Sequence, residues 1–395
     1  KNIIQLFGQS IYHLIIKRVI FISSTVLPQK DAGGGSVVIY RHLERLVDEG
    51  KEVIIIYLGN GNSYKDKIQY IFIPKKPWYP FLRKQTPQIS FVTMWLYYKL
   101  IKKRLNPDFK HDIIIGILGE VNNLILLQLY NEDHIPFFLF YHDDIIFNRY
   151  RLLALLSKQQ INDILTKASF IFSVSQYMVD RLKAINIHRT KILYPIPQGY
   201  NGVQKPQHPG SALNFGYAGM TSHIHFDILN QITIGLNKIG HKLYCITGPL
   251  DGFSPSKPET IIIRPRFNSL NELFNYMLDS VNVNIVFYSF CLQHEPRLES
   301  SFPSKFVEFA QLGIPVAIIA PEYSSLGQWA LKRGWLSYIN SDDPDIIAEG
   351  LKRFEDIIYW QKCREQILNT IAGEFNSALI HQSFIDAIDQ RAAAI

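Results

Sequence analysis

Lys305 and Glu308 stand three residues apart in SSFPSKFVEFAQLGIPVAIIAP, Ser300–Pro321, so on a helix they share one side. A cation beside a carboxylate suits a ligand that carries both phosphate and hydroxyl groups, because the ammonium meets the anion and the carboxylate accepts from the hydroxyls. Ser300, Ser301, Pro303 and Ser304 supply the small polar residues and the proline that suit a helix start, where free N–H groups attract phosphate. Such a set points to a nucleotide-sugar; a plain helix–strand joint with a surface Lys–Glu pair is the alternative. His142-Asp143-Asp144 follow the apolar run PFFLFY. The carboxyl ends of parallel strands are where open α/β sheets bind ligands, although either Asp would also cap a helix. Gly33-Gly34-Gly35 follow an earlier apolar run and let the backbone approach a ligand closely, or simply turn. Contiguous glycines are not the G-x-G-x-x-G dinucleotide pattern.

These residues must be positioned by a series of strands and helices. RVIFISS, EVIIIYL, QYIFIP, HDIIIGIL, PFFLFY and SFIFS read as parallel strands of the first half, with VVIYRHLERLVDEG a helix closed by Gly50. YPIPQGYNGVQKPQHPG, rich in Pro and Gly, reads as a linker. ALNFGYAGM, KLYCIT, TIIIRPRF, VNVNIVFYSF and VAIIA repeat the strand series beyond it. The stretch with His294, Glu295, Arg297 and Glu299 reads as a loop, Gly313 as a helix cap and Pro315 as a stop. Later helices are expected at Tyr323–Arg333, Pro344–Phe354, Trp360–Ile371 and Ser377–Ile388, the last crossing back to the first domain.

A chain of 395 residues exceeds one typical core, so two domains are expected. With 47% hydrophobic and 19% charged residues it is globular rather than disordered. Three cysteines, widely spaced and without a C-x-x-C pair, argue against a disulfide framework or a zinc site and for a reducing compartment. Residues 1–200 hold 26 Lys+Arg against 15 Asp+Glu, a net +11, while the remainder holds 15 against 19, a net −4. The basic half is therefore the one to meet an anionic surface. No nucleic-acid motif accompanies that charge, so an anionic membrane or lipid-phosphate acceptor fits better. KKPWYPFLRK, Lys75–Lys84, mixes cations with aromatics as an interfacial segment does, or as a loop folded on its domain would. No run of about 20 apolar residues marks a membrane span.

Pro303-Ser304-Lys305, Glu308-Phe309 and Gly313-Ile314-Pro315-Val316 resemble the "P-x-K-x-x-E-[YF]…G-x-P-V" signature of GT-B glycosyltransferases, family four above all. The glycine loop with the later Gly50-x-Glu52-Val53, His142-Asp143, "A-V-S" near Ser173, "I-P-N-G" at Ile196–Gly199 and "G-Y-x-G" at Gly216–Gly219 are similar to further marks of that family. The resemblance implies two Rossmann-like domains whose parallel sheets face a central cleft. It implies that Glu308 binds the nucleotide ribose, that Gly219, Thr221, Ser300, Ser301, Ser304 and Lys305 surround the diphosphate, and that Arg266 and Phe267 flank the base. His142 would lie near the transferred sugar, with Gly33, Gly34, Gly35 and Asp143 on the acceptor side.

Two departures stand out. Gln198 replaces the Asn of "I-P-N-G", and Thr221-Ser222-His223-Ile224-His225 lacks the Arg and Lys that many relatives place after the glycine. Lys305 would then carry more of the charge compensation. Ser300 also stands where many members have the first Glu of an "E-x7-E" pair, with Glu299 one residue off.

The reading is an α/β chain of GT-B type, with an acceptor-binding domain at 1–198, a donor-binding domain at 199–375 and a final helix at about 376–395 packing back on the first. Its function would be transfer of a sugar from a nucleotide-sugar, UDP- or GDP-linked, to a glycan or lipid-linked acceptor in polysaccharide biosynthesis. Catalysis by His142, Lys305 and Glu308 would be retaining and need no metal or cofactor. The expected place is the cytoplasm, or the inner face of a membrane. A non-catalytic GT-B partner subunit and a nucleotide-sugar 2-epimerase are the alternatives.

Overall fold

The computed structural model describes residues 16–30, 35–60, 67–74, 87–105, 111–120, 122–142, 156–199, 208–210, 212–219, 223–248 and 252–392. The chain divides into two compact units, 1–193 with 381–395, and 194–380. The segments Lys75–Lys84 and Asp143–Asp144 lie outside the described residues, so the interfacial reading of the first has no structural counterpart here.

In the first unit the strands are β1 Arg18–Ser23, β2 Glu52–Tyr57, β3 Gln69–Phe72, β4 Asp112–Ile117, β5 Phe137–Tyr141, β6 Phe170–Ser173 and β7 Thr190–Ile192. They make one sheet in the order β3-β2-β1-β4-β5-β6-β7, every pair parallel. The helices are α1 Gly35–Asp48, α2 Pro87–Leu105, α3 Asn123–Asp133, α4 Lys158–Lys167 and α5 Gln176–Ala184. DIIIGI and FFLFY are buried along their whole length, which is why these strands read as unbroken apolar runs: helices cover both faces of a parallel sheet. Helix α1 buries Val38, Ile39, Tyr40, His42, Leu43 and Leu46, spaced as one face of a 3.6-residue repeat demands. Gly50 closes it with φ +84°, a left-handed conformation open to glycine at little cost.

The second unit repeats the plan. Its strands are β8 Asn214–Ala218, β9 Lys242–Ile246, β10 Ile261–Arg264, β11 Val283–Phe287, β12 Val316–Ile319 and β13 Tyr338–Ile339, parallel in the order β10-β9-β8-β11-β12-β13. Its helices are α6 His223–Lys238, α7 Leu270–Ser280, α8 Glu295–Ser300, α9 Ser304–Ala310, α10 Ser325–Lys332, α11 Pro344–Lys352 and α12 Ile357–Ala372, followed by α13 Ser377–Ala392. Phe215, Leu229, Leu243, Ile285, Ala317 and Ile319 centre the core. Both sheets therefore have the doubly wound order, reversing direction between β1 and β4 and between β8 and β11. The carboxyl ends of the strands at such a reversal form the usual ligand crevice.

Two expectations are corrected. The stretch around His294–Glu299, read as a loop, forms α8, and Pro296 sits in its first turn where proline is tolerated. Ser300 thereby ends α8 instead of opening the helix of Lys305, and α9 begins at Ser304 with Pro303 as its N-cap and no side-chain capping bond. Gly313, with φ +64°, follows α9 as a left-handed closing residue.

Within α13, residues from His381 onward belong to the first unit. There the Phe384 ring lies 4.9 Å from His42, 5.0 Å from Phe172 and 5.8 Å from Phe140. His381 Nε2 is 2.7 Å from Glu49 Oε1, and Lys191 Nζ donates to the Ser383 carbonyl.

Candidate active site

In the second unit the described candidates cluster in sequence around α9 and at the ends of β8, β9 and β10. Phe306, Phe309 and Ala310 face the core and anchor α9. Glu308 is also turned inward, 9% exposed, and its Oε1 accepts the backbone N–H of Gln198 at 3.0 Å. A charged hydrogen bond thus ties the "I-P-Q-G" segment to α9. Lys305 is exposed, its Nζ 5.6 Å from the centre of the Phe309 ring. The pair shares a helix as expected, but one member is displayed and the other packed.

Ser300 and Ser301 do not present free hydroxyls to a ligand. Ser301 Oγ donates to the Arg297 carbonyl at 2.8 Å and Ser300 Oγ to the same oxygen at 3.3 Å. The Ser301 carbonyl in turn accepts from Tyr288 Oη at 3.1 Å and from Ser325 Oγ. Burial pushes the Tyr288 phenol up to about 12, so it stays a protonated donor at neutral pH. Tyr288 and Ser325, which sequence reasoning missed, hold the chain just ahead of α9.

Gly219 follows β8, and a Cβ there would stand 2.7 Å from Tyr217 Oη, so a side chain at 219 would have to push that phenol aside. Thr221 lies outside the described residues. Arg266 is exposed just after β10, and its guanidinium lies against Gly248, where a Cβ would be 3.4 Å from Nε and Nη2. Phe267, expected to flank a base with it, is half-buried with its ring 5.1 Å from Tyr276 of α7. Arg266 is displayed; Phe267 is folded onto its own unit.

In the first unit His142 directly follows β5, half-buried, its ring stacked at 5.6 Å on Phe140. Gly35 opens α1, exposed, and a Cβ there would meet nothing within 4 Å. Gly33, Gly34 and Asp143 lie outside the described residues. A dense polar cluster among the described residues is one the sequence reading passed over. Glu120, 2% exposed, follows β4 and accepts from Ser23 Oγ at 2.9 Å, Ser24 N at 2.8 Å, Thr25 N at 3.2 Å and Thr25 Oγ1. Asn122 adds a bond from Nδ2 to the Ile22 carbonyl at 3.1 Å and accepts Ser24 Oγ at 3.1 Å. Gly-Glu-Val-Asn-Asn after a buried strand was the available signal: an acid and two amides at a carboxyl end.

Among the described residues, no group of three or more His, Cys, Asp or Glu could hold a metal ion. None of the described helices is long and apolar enough to cross a membrane.

Residues 32–199 match the family model described as Glycosyltransferase Family 4. No curated relative matches the sequence. Among solved structures, sucrose-phosphate synthase from Thermosynechococcus elongatus is 13% identical, with a TM-score of 0.63 over 96% of this chain and 100% of that one. A glycosyltransferase from Rickettsia africae is 13% identical, with a TM-score of 0.65 over 95% and 98%. WaaG, a glycosyltransferase involved in lipopolysaccharide biosynthesis, is 13% identical, with a TM-score of 0.57 over 92% and 98%. At these identities the neighbours speak for the fold alone, which is GT-B. The family match covers most of the first unit and makes the chain an enzyme of the glycosyltransferase type.

Proposed function

We propose that this chain moves a sugar from a nucleoside-diphosphate sugar to a glycan or lipid-linked acceptor, the donor resting on the second unit and the acceptor on the first. The observation that carries the reading is the pairing on α9: Lys305 displayed and Glu308 held one turn on, in a doubly wound unit that follows a Family 4 domain. Lys305 and Arg266 would meet the diphosphate charge that grows as the glycosidic bond breaks, work that an ammonium and a guanidinium do without a proton transfer. Arg266 matters here because the segment after Gly219 contains neither Arg nor Lys before α6. Glu308, its carboxylate anchored on the Gln198 N–H, would turn its acceptor chemistry to the hydroxyls of a ribose. His142, at the carboxyl end of β5, would lie on the sugar side of the reaction. Retention of anomeric configuration and transfer without a metal belong to this proposal.

A peripheral place on an anionic membrane, on the cytoplasmic side, extends it. The support is α2, whose inner side buries Met94, Tyr97, Tyr98, Ile101 and Leu105. Its outer side exposes Trp95, Leu96 and Leu100 beside Lys99, Lys103 and Arg104. A helix that shows apolar and basic residues together on its exposed side suits a headgroup region. The test of the donor assignment is calorimetry of the intact chain with UDP, GDP, ADP and dTDP. One of them should bind at micromolar concentration; silence from all four would leave a partner subunit without donor chemistry.

A further inference from the structure

We infer that Glu120 is a positioning residue for the transfer reaction: its buried carboxylate sets the shape of the loop that leaves β1 at the reversal point of the first sheet. The inference rests on the glycosyl-transfer reading above. Three observations converge on it. Glu120 is almost wholly buried, yet its hydrogen-bond partners are neutral donors: the Ser23, Ser24 and Thr25 hydroxyls and the Ser24 and Thr25 N–H groups. A buried carboxylate is costly unless such donors satisfy it, so the arrangement stands only with the chain folded around it. Ser23 Oγ, held by Glu120, in turn accepts from Thr25 N at 3.3 Å and Val26 N at 3.0 Å, which curls the backbone over β1.

Leu27 and Pro28 are tied down as well. Tyr70 Oη donates to the Pro28 carbonyl at 3.1 Å, and Ser36 Oγ donates to the Leu27 carbonyl. Asn122 closes the other side by gripping the end of β1 through the Ile22 carbonyl. Thr25 remains exposed above this frame, at the carboxyl end of β1 and next to β4, where open parallel sheets take their ligands. Binding and catalytic residues sit disproportionately on loops held by a rigid scaffold, and the Glu120 clamp fixes this one where Thr25 stands exposed.

Glu120→Gln tests this, because the amide keeps the size but turns an N–H₂ toward N–H donors that need an acceptor. Hydrogen exchange of the Ser24, Thr25 and Val26 amides should quicken by about ten-fold or more, while exchange in β4 and β5 stays as it was. Turnover of the nucleotide-sugar found by the hydrolysis screen described below should lose about ten-fold or more in kcat, with the donor KM and the nucleotide Kd within about two-fold of the parent. Glu120→Asp, which keeps the charge, should recover part of that rate. Unchanged exchange would overturn the clamp. Faster exchange with unchanged kcat would overturn the positioning role, because a merely structural acid would behave in that way. If the parent chain neither binds nucleotide nor turns over a sugar, the glycosyl-transfer reading fails, and with it the positioning role. The exchange arm still reads the clamp in that case.

Discussion

The two units share one strand plan and treat charge in opposite ways. In the first, the central acid Glu120 is consumed by its own chain: five donors from Ser23, Ser24 and Thr25 close on it. In the second, cations are put on show. Lys305 stands exposed on α9 and Arg266 lies exposed against Gly248, while Glu308 gives one oxygen to the Gln198 N–H. Yet residues 1–200 carry the net positive charge and the remainder is negative. Bulk charge therefore does not say where a diphosphate rests. In the proposed function the displayed Lys305 and Arg266 would mark that place, and the basicity of the first half would serve the anionic surface proposed for α2.

The contrast can be broken or sharpened by experiment. Replacing Glu308 by Ala removes a charged acceptor and strands the Gln198 N–H, so nucleotide affinity measured by calorimetry should fall by about 1.5–3 kcal/mol, roughly ten- to a hundred-fold. Unchanged affinity would remove the ribose role. Gly327→Ala drives a Cβ into the Pro321 carbonyl within the second unit. It should cost that unit about 1–3 kcal/mol, seen as one shifted transition in a calorimetric melt with the other unmoved. A single shared shift would mean that the units do not melt separately. Lys305→Ala should weaken a nucleoside diphosphate by about ten-fold and the matching nucleoside far less, narrowing the preference for phosphate.

The pH response should be shared by both units. His381, packed on the first unit, and His241, in the second, are both held below the usual imidazole range by burial, although each has a carboxylate partner, Glu49 at 2.7 Å and Glu355 at 3.1 Å. A base whose folded value is lowered binds fewer protons folded than unfolded. Its stabilising contribution is present above the unfolded value of about 6.5 and is lost as pH falls from there through the folded value. Melting temperatures should therefore drop below about pH 6.5, and His381→Gln should flatten that slope for the first unit only. The smallest effect concerns α2: Trp95→Ser with Lys99→Ser should reduce flotation on phosphatidylglycerol vesicles and leave nucleotide affinity alone. Equal flotation would separate α2 from any membrane role.

Fold class was readable because parallel strands announce themselves: VIFI within RVIFIS, III within DIIIGI, and FFLFY run apolar without the alternation of a half-exposed strand. Glycines at 50 and 313 marked helix ends for a similar reason, since each adopts a positive φ. The site was harder to read. Spacing put Lys305 and Glu308 on one helix, but it could not reveal that Glu308 turns inward to a backbone N–H from 110 positions earlier. Serines at 300 and 301 looked like a helix start because Pro303 follows them; they close α8 instead, which Pro296 helps to begin. Glu120 went unnoticed since its partners lie 95 to 97 residues away, on a strand end that only the fold brings alongside. Long-range polar bonding leaves no periodicity for a sequence to display.

The central claim is sugar transfer from a nucleotide donor held on the second unit. Its most direct test is a proton-NMR screen of the intact chain against UDP-, GDP-, ADP- and dTDP-sugars, following release of the nucleoside diphosphate and the anomer formed. The account predicts turnover of one donor, with the anomeric configuration of the sugar kept in the first-formed product and the rate reduced in Lys305→Ala. A chain that binds a nucleotide yet releases no sugar from any of these donors would contradict it.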